Sequence, residues 1–246
     1  MEWNEKEMKL IVSYFNNNTN EITLYTKLFK LNPNRTLKAV TSKLERMRKE
    51  GFSKNRENAI KNLRVGYLDI EATQLSADFG FILSWYIKEK GKNNYDYAVV
   101  KKEEIFSGNF DKRVVIELLA AMGEYDVLYT HYGADHRFDV PFIRTRALRH
   151  GFENKIPKTG LFIMDTYPIA KHKLRLHSNR LDSIANAIGI KGVKKTPLSG
   201  DVWVKASIGD KNALEYVALH NKRDVQLLER VHNRLSSIEK PRLTSI

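Results

Sequence analysis

Apolar side chains recur at helical spacing in three short segments near the start of the chain. Residues 3–15, residues 22–29 and the segment from Thr36 to Met47 each place their apolar side chains on one helical face. A polar run at 16–20 and an Asn-Pro-Asn sequence at 32–34 separate these segments, and both are typical of turns. The pattern therefore predicts three short helices in a small N-terminal domain.

Further along the chain, segments with strand character alternate with segments of helical character. Strands are predicted at Leu63–Ile70, Phe79–Ile87, Tyr95–Val100 and Val127–His131, and another apolar run lies at Leu161–Met164. Helices are predicted at Val114–Met122, Arg137–His150, Leu181–Ile188 and Lys211–Leu235. Three strands before the first helix, followed by further α/β units, indicate a mixed β-sheet flanked by helices.

A polar and charged segment separates the helical region from the α/β region. Its composition is typical of a linker rather than of a packed element. We therefore expect a three-helix domain at residues 1–52, a linker at 53–62 and an α/β domain at 63–240.

The composition excludes several classes of protein. The chain has 246 residues, of which 42% are hydrophobic, so it is not a disordered chain, and it has no cysteine for disulfides, cysteine zinc sites or a thiol nucleophile. The first ten residues carry three Glu and two Lys, so no signal peptide is expected. The most apolar stretch, Phe79–Ile87, is about half the length of a membrane span. We expect a soluble cytoplasmic protein, with association with the nucleoid as a further prediction.

Positive charge is concentrated near the N-terminus. The net charge of the chain is +13, and residues 1–64 contribute over half of this excess with 14 basic and 7 acidic side chains. The third predicted helix has a basic face, and such a helix in a three-helix unit fits the major groove of DNA. The unit resembles the Myb/SANT-like helix-turn-helix group in its Trp3 followed by acidic residues and in its third-helix pattern. The predicted nucleic-acid-binding residues here are Arg35, Lys38, Lys43 and Arg46. A helical protein–protein module is the alternative.

Four carboxylates stand out in the α/β region. Asp69 and Glu71 are two residues apart at the end of the first strand, so their side chains point to the same face. Two carboxylates this close repel each other unless a cation lies between them, and a hard divalent ion prefers such oxygen ligands. Asp139 lies where a strand leads into a helix, and Asp224 lies in the long last helix beside apolar residues. Each acid alone also fits an ordinary structural role.

Residues 64–236 resemble the DEDD family of metal-dependent 3′-5′ exonucleases, which have an RNase H-like fold. The resemblance depends on three motifs in order: Leu-Asp-Ile-Glu with Asp69 and Glu71, Phe-Asp-Val-Pro-Phe with Asp139, and His-Asn-Lys-Arg-Asp-Val with Asp224. It implies that these four acids hold two divalent ions, Mg²⁺ or Mn²⁺, for phosphodiester hydrolysis by a two-metal-ion mechanism.

The chain departs from the family pattern at two places. The family has a Tyr four residues before the last Asp, or a His five residues before it, whereas this chain has His220 at the four-residue spacing. Residues four apart share a helical face, so His220 is predicted as the general base, with a solvated surface histidine as the alternative. In the second motif, Tyr132-Gly133 is followed by four residues instead of two, which lengthens the loop. Asp165 is predicted to support the site without binding metal.

The resemblance implies a 3′-5′ exonuclease, and together with the basic N-terminal region we expect it to act on DNA rather than RNA, with an N-terminal DNA-binding module and no membrane partner. Lys194 and Lys195 are further candidates for contacts to the nucleic-acid backbone. A structure-specific endonuclease or a ribonuclease of the same fold is the first alternative, since one fold supports several cleavage reactions. A non-catalytic DNA-binding regulatory protein is the second.

Overall fold

The chain divides into two units, Met1–Leu63 and Arg64–Ile246. The computed structural model describes residues 3–16, 21–47, 63–157, 160–191 and 198–238. The predicted linker at 53–62 lies outside these ranges.

Three helices form the described part of the N-terminal unit, as the sequence predicts. They are α1 (Glu5–Asn16), α2 (Glu21–Leu31) and α3 (Leu37–Met47). Asn4 and Glu7 exchange hydrogen bonds of 2.9 Å between side chain and backbone, a capping box that fixes the start of α1. The buried core of the unit consists of Ile11, Leu24, Leu28, Val40, Leu44 and Met47.

A five-stranded mixed sheet with the order β3-β2-β1-β4-β5 forms the centre of the second unit. The strands are β1 (Val65–Ala72), β2 (Ile82–Glu89), β3 (Tyr95–Val99), β4 (Val127–Thr130) and β5 (Phe162–Asp165). The first three strands pair antiparallel, whereas β4 pairs parallel with β1 and β5 pairs parallel with β4. The predicted fold class, an RNase H-like mixed sheet flanked by helices, is confirmed.

Seven helices accompany this sheet in the described ranges. They are α4 (Lys102–Phe106), α5 (Lys112–Met122), α6 (Asp139–Arg149), α7 (Thr166–Lys173), α8 (Leu181–Ala187), α9 (Gly200–Ser207) and α10 (Lys211–Leu235). The sequence predicted α5, α6, α8 and α10 but not α4, α7 or α9. Within the described helices, none is both long and apolar enough to cross a membrane.

The long helix α10 packs across β1 and β2 and determines which face of the sheet carries the site. Tyr67 of β1 forms a 2.9 Å hydrogen bond from its hydroxyl to Nδ1 of His232 on α10. Asn221 of α10 donates to the backbone oxygen and the hydroxyl of Ser84, each at 3.2 Å. Since side chains alternate along a strand, Asp69 and Glu71 lie on the same face as Tyr67 and point toward α10.

Candidate active site

The structure brings the four predicted acids together at the end of β1. Asp69 and Glu71 occupy successive positions of one face of β1, opposite Tyr86 and Ser84 of β2. Asp139 is the first residue of α6 and is 4% exposed. The charges of Glu71, Asp139 and Asp224 all act on Asp69, which places the four carboxylates within one electrostatic neighbourhood.

His220 lies between two of these acids. Its Nε2 atom is 3.5 Å from Oε1 of Glu71 and 3.3 Å from Oδ2 of Asp224, one helical turn further along α10. Among the described residues, Glu71, His220 and Asp224 form a group whose candidate ligand atoms lie within 4.8 Å of one another. The geometry therefore presents both oxygen ligands and an imidazole to one small volume.

Burial and mutual repulsion make this group of acids costly to ionise. Burial is the main cause of the raised pKa of Asp69 and of Asp139, and neighbouring carboxylates raise both further. Burial also raises the pKa of Glu71 to about 8, although the charge of His220 opposes part of this shift. Such a group is stabilised in its ionised form by positive charge, and a divalent cation supplies it at short range.

Asp139 has an oxygen that the protein leaves available for a ligand. Its Oδ2 atom is buried and has no hydrogen-bond partner among the described residues. A buried carboxylate oxygen without a partner costs free energy unless an ion binds it. Gly133 faces this atom, and a Cβ at that position would lie 2.0 Å from Oδ2. The residues present therefore fit a divalent metal ion.

Asp165 holds the loop that faces Asp139. Its carboxylate accepts backbone hydrogen bonds from Tyr132 at 2.9 Å, Gly133 at 3.1 Å and Ala134 at 3.2 Å. It also accepts from the backbone of Tyr167 at 2.8 Å, which caps α7. Both oxygens are thus occupied by N–H donors, an arrangement that suits support of the site.

A buried ion pair fixes α6 against the hairpin that carries the first two acids. Arg146 of α6 binds Asp111 through Nε at 2.9 Å and Nη2 at 2.6 Å, and donates to the backbone oxygen of Ala77 at 3.1 Å. Asp111 also accepts from the backbone of Ile82, the first residue of β2, at 2.8 Å. No sequence pattern indicates this pair, because only the fold brings α6 beside the β1–β2 connection.

Exposed apolar and aromatic side chains occur in the loops that adjoin the motifs of Glu71 and Asp139. Leu75 and Phe79, in the loop that follows Glu71, are 88% and 84% exposed. In the lengthened loop, the Arg137 guanidinium lies 4.8 Å from the ring centroid of Tyr132 and 4.5 Å from that of Tyr167. Two sequence signals could have identified these side chains. One is the pair of apolar residues, Leu75 and Phe79, within eight residues of the Asp-x-Glu motif; the other is an Arg close in sequence to a Tyr.

The basic residues predicted to bind nucleic acid have different environments. Lys38 and Arg46 are exposed on α3, and Lys43 is half-buried. Arg35 is not on the surface: it is 3% exposed, and its guanidinium binds Glu7 at 2.7 Å and 2.8 Å. The prediction for Arg35 is therefore corrected to a structural role.

Lys194 and Lys195, the other predicted contacts to the nucleic-acid backbone, lie outside the described residues. Asp135 precedes Asp139 by four residues, is exposed and forms an ion pair with Arg144. Asp139 is instead buried and its charge acts on Asp69, so it is the acid of this loop that lies with the group.

Comparison with known proteins agrees with this fold. A DNA polymerase of Methanocaldococcus jannaschii is 27% identical over 151 residues, which cover 53% of this chain and 8% of the polymerase. This chain thus spans a small fraction of that relative. Residues 66–236 match the sequence profile of a family described as the RNase_H superfamily. Because this match covers more than half of the chain, the protein belongs to the RNase H superfamily.

Proposed function

We propose that the protein is a metal-dependent nuclease that shortens DNA from the 3′ end. The observation that carries this proposal is the group formed by Asp69, Glu71, Asp139 and Asp224 around His220. Buried acids with raised pKa values are typical of functional sites, and in the same place a buried Asp139 oxygen accepts no hydrogen bond from a described residue. The similarity to a DNA polymerase supports nucleic acid as the substrate.

The four acids would hold two divalent ions, Mg²⁺ or Mn²⁺. Carboxylate oxygens are the ligands that these hard cations prefer, and the site has no cysteine to favour zinc. When bound, such ions lower the pKa of water and stabilise negative charge on a phosphodiester group. Gly133 leaves room for Asp139, and Asp165 holds Gly133 in place.

His220 would accept the proton of the attacking water at Nε2. The carboxylates of Glu71 and Asp224 lie close to this atom, at 3.5 Å and 3.3 Å, so the base would act within the group of acids. A positioned general base contributes about 10²- to 10⁴-fold to a rate. We expect His220→Gln to lower kcat by this range while leaving Mn²⁺ binding largely intact. Loss of Mn²⁺ binding without a change in kcat at saturating metal would contradict the assignment.

The decisive experiment is cleavage of 5′-end-labelled single- and double-stranded DNA and RNA with Mg²⁺, Mn²⁺ or EDTA. We expect a metal-dependent ladder that shortens from the 3′ end of DNA and disappears in Asp139→Asn. Asp135→Asn is the matched control, since this neighbouring acid is exposed and paired with Arg144, and it should cleave normally.

Other products would select the alternatives. Discrete internal fragments would identify an endonuclease, and cleavage of RNA alone would identify a ribonuclease. DNA binding without cleavage of any substrate would refute the proposal and leave a non-catalytic DNA-binding protein.

The N-terminal unit would add binding to nucleic acid through the basic face of α3. Lys38, Lys43 and Arg46 would contact phosphates, and each lost contact should reduce the salt dependence of duplex DNA binding by about 0.9 in slope. We expect alanine at all three positions to flatten this slope, with Lys30→Ala on α2 as the control. An unchanged slope would favour a protein–protein role for this unit.

A further inference from the structure

A groove of about 810 Å³ lies beside the edge strand β3, between this strand and α10. Tyr86 and Tyr97 line it with stacked rings, whose centroids are 4.8 Å apart and whose planes differ by 7°. Tyr97 is the outer ring on the edge strand and is 58% exposed. A large exposed ring whose orientation is fixed by stacking on a second ring can also stack with another planar group.

The groove lies next to the group of acids but is lined by a different face of α10. On α10 its lining includes Lys211, Glu215, Ala218 and Lys222, which follow a spacing of three or four residues and share one face. His220 is two residues from Lys222, which is about 200° around the helix. On the sheet, Tyr86 of the groove lies directly across from Asp69 of β1, so the groove adjoins the acids on the same face of the sheet.

Positive charge lies at both ends of this groove. Lys101 and Lys102 follow the end of β3, whereas the Nζ atom of Lys222 lies 4.7 Å from the ring centroid of Tyr95 at the start of β3. None of these three lysines forms an ion pair with a described residue. Since a strand rises about 3.3 Å per residue, the four steps from Tyr95 to Val99 separate the two ends by roughly 13 Å. This separation suits a ligand with several anionic groups rather than one.

The acidic residues of the groove are partly committed to the protein. Asp210 caps α10 by accepting from the backbone of Ala213 at 2.9 Å, and Glu215 lies 3.9 Å from Lys211. Glu103 is the remaining acid in the lining and sits in the first turn of α4. The groove thus offers more available positive than negative charge.

We propose that this groove binds single-stranded nucleic acid, with a base stacked on Tyr97 and phosphates against Lys101, Lys102 and Lys222. The combination of an aromatic platform and spaced cations is the chemistry that recognises single strands. In a duplex the bases stack on one another and are not available to Tyr97. The inference rests on the proposed function, because the groove would hold the strand beyond the site of cleavage.

Fluorescence anisotropy of a labelled 20-nucleotide DNA strand in EDTA tests the proposal on the full chain. Stacking on one aromatic side chain is worth about 1–3 kcal/mol, so we expect Tyr97→Ala to weaken binding roughly tenfold. Tyr97→Phe keeps the ring and should bind as the wild type does. Alanine at Lys101 and Lys102 should reduce the salt slope by about 1.4, with the exposed Lys155→Ala as control. Equal affinity of Tyr97→Ala and wild type would overturn the proposal.

A second measurement locates the strand. A 20-nucleotide strand with 5-iodouracil bases, irradiated with the protein in EDTA, should cross-link to the peptide that contains Tyr97. Cross-links confined to residues 1–63 would overturn the proposal. The two proposals fail separately. Binding that depends on Tyr97 without cleavage would refute the nuclease, whereas cleavage with Tyr97-independent binding would refute only the groove.

Discussion

Replacing Glu71 by Gln should stabilise the metal-free protein while destroying its site. Burial raises the pKa of Glu71 from 4.5 to about 8. Between these pH values the unfolded chain has released the proton, whereas the folded chain retains it. The free energy of unfolding of the wild type therefore falls as the pH rises from 4.5 to 8, by about 1.4 kcal/mol per pH unit.

The expected gain follows from this slope. At pH 7 the loss in the wild type amounts to about 3 kcal/mol, and Glu71→Gln removes it because Gln does not ionise. For a unit of this size, about 1 kcal/mol shifts the Tm by 2–4 °C, so we expect an increase of about 6–12 °C. At pH 4.5 the variant and the wild type should have nearly equal Tm values.

Differential scanning calorimetry in EDTA at pH 4.5 and 7 measures this effect, with the exposed Glu153→Gln as control. Saturating Mn²⁺ should reverse the order, since only the wild type has the complete site: each ion at 100 times its Kd adds about 2.7 kcal/mol, so two ions together outweigh the loss of about 3 kcal/mol. The electrostatic reasoning would be refuted if Glu71→Gln were no more stable than the wild type at pH 7. It would also be refuted if the Tm difference between the two proteins were as large at pH 4.5 as at pH 7.

Two other substitutions test the site and the N-terminal unit. Gly133→Ala places a Cβ 2.0 Å from the Asp139 oxygen, so we expect the affinity for Mn²⁺ to fall about 10- to 100-fold, as measured by calorimetry. The control is Gly200→Ala, which should have no effect because the space around Gly200 is open. Glu7→Gln removes the carboxylate that pairs with the buried Arg35, so we expect the free energy of unfolding of the N-terminal unit to fall by about 3–5 kcal/mol. Hydrogen exchange of peptides from α1–α3 measures this change, and unchanged exchange would contradict it. The pKa of Glu7, lowered to about 2 chiefly by the Arg35 hydrogen bond, implies that this stabilisation is lost as pH falls from 4.5 toward 2.

The sequence predicts those parts of the fold that have strong periodicity. Clear patterns mark the strand that carries Asp69 and Glu71 and the long helix that carries Asp224. The order of the motifs along the chain was enough to predict that these acids lie close together. The helix Thr166–Lys173 was missed because it has few buried residues and a proline, Pro168, in its first turn, where the missing N–H costs nothing. The second strand begins at Ile82, since Phe79 lies in a turn closed by a hydrogen bond from Gly80 to Ser76.

Tertiary contacts determine what the sequence did not show. Arg35 belongs to a basic segment, and only the approach of α1 reveals that Glu7 binds it inside the unit. The groove depends on β3 and α10, which are more than 100 residues apart in the chain. Tyr97 lies outside the motifs, and Lys222 lies within the third motif at a position that has no assigned role, so no sequence pattern distinguishes either from ordinary surface residues.

The stoichiometry of Mn²⁺ binding tests the central claim most directly. Titration of the protein with Mn²⁺, followed by the electron paramagnetic resonance signal of the free ion, counts the ions bound without requiring a substrate. The account predicts two ions per chain in the wild type, with binding lost or strongly weakened in Asp69→Asn and Asp139→Asn but retained in Asp135→Asn. Absence of saturable Mn²⁺ binding in the wild type, or equal binding in all four proteins, would contradict it.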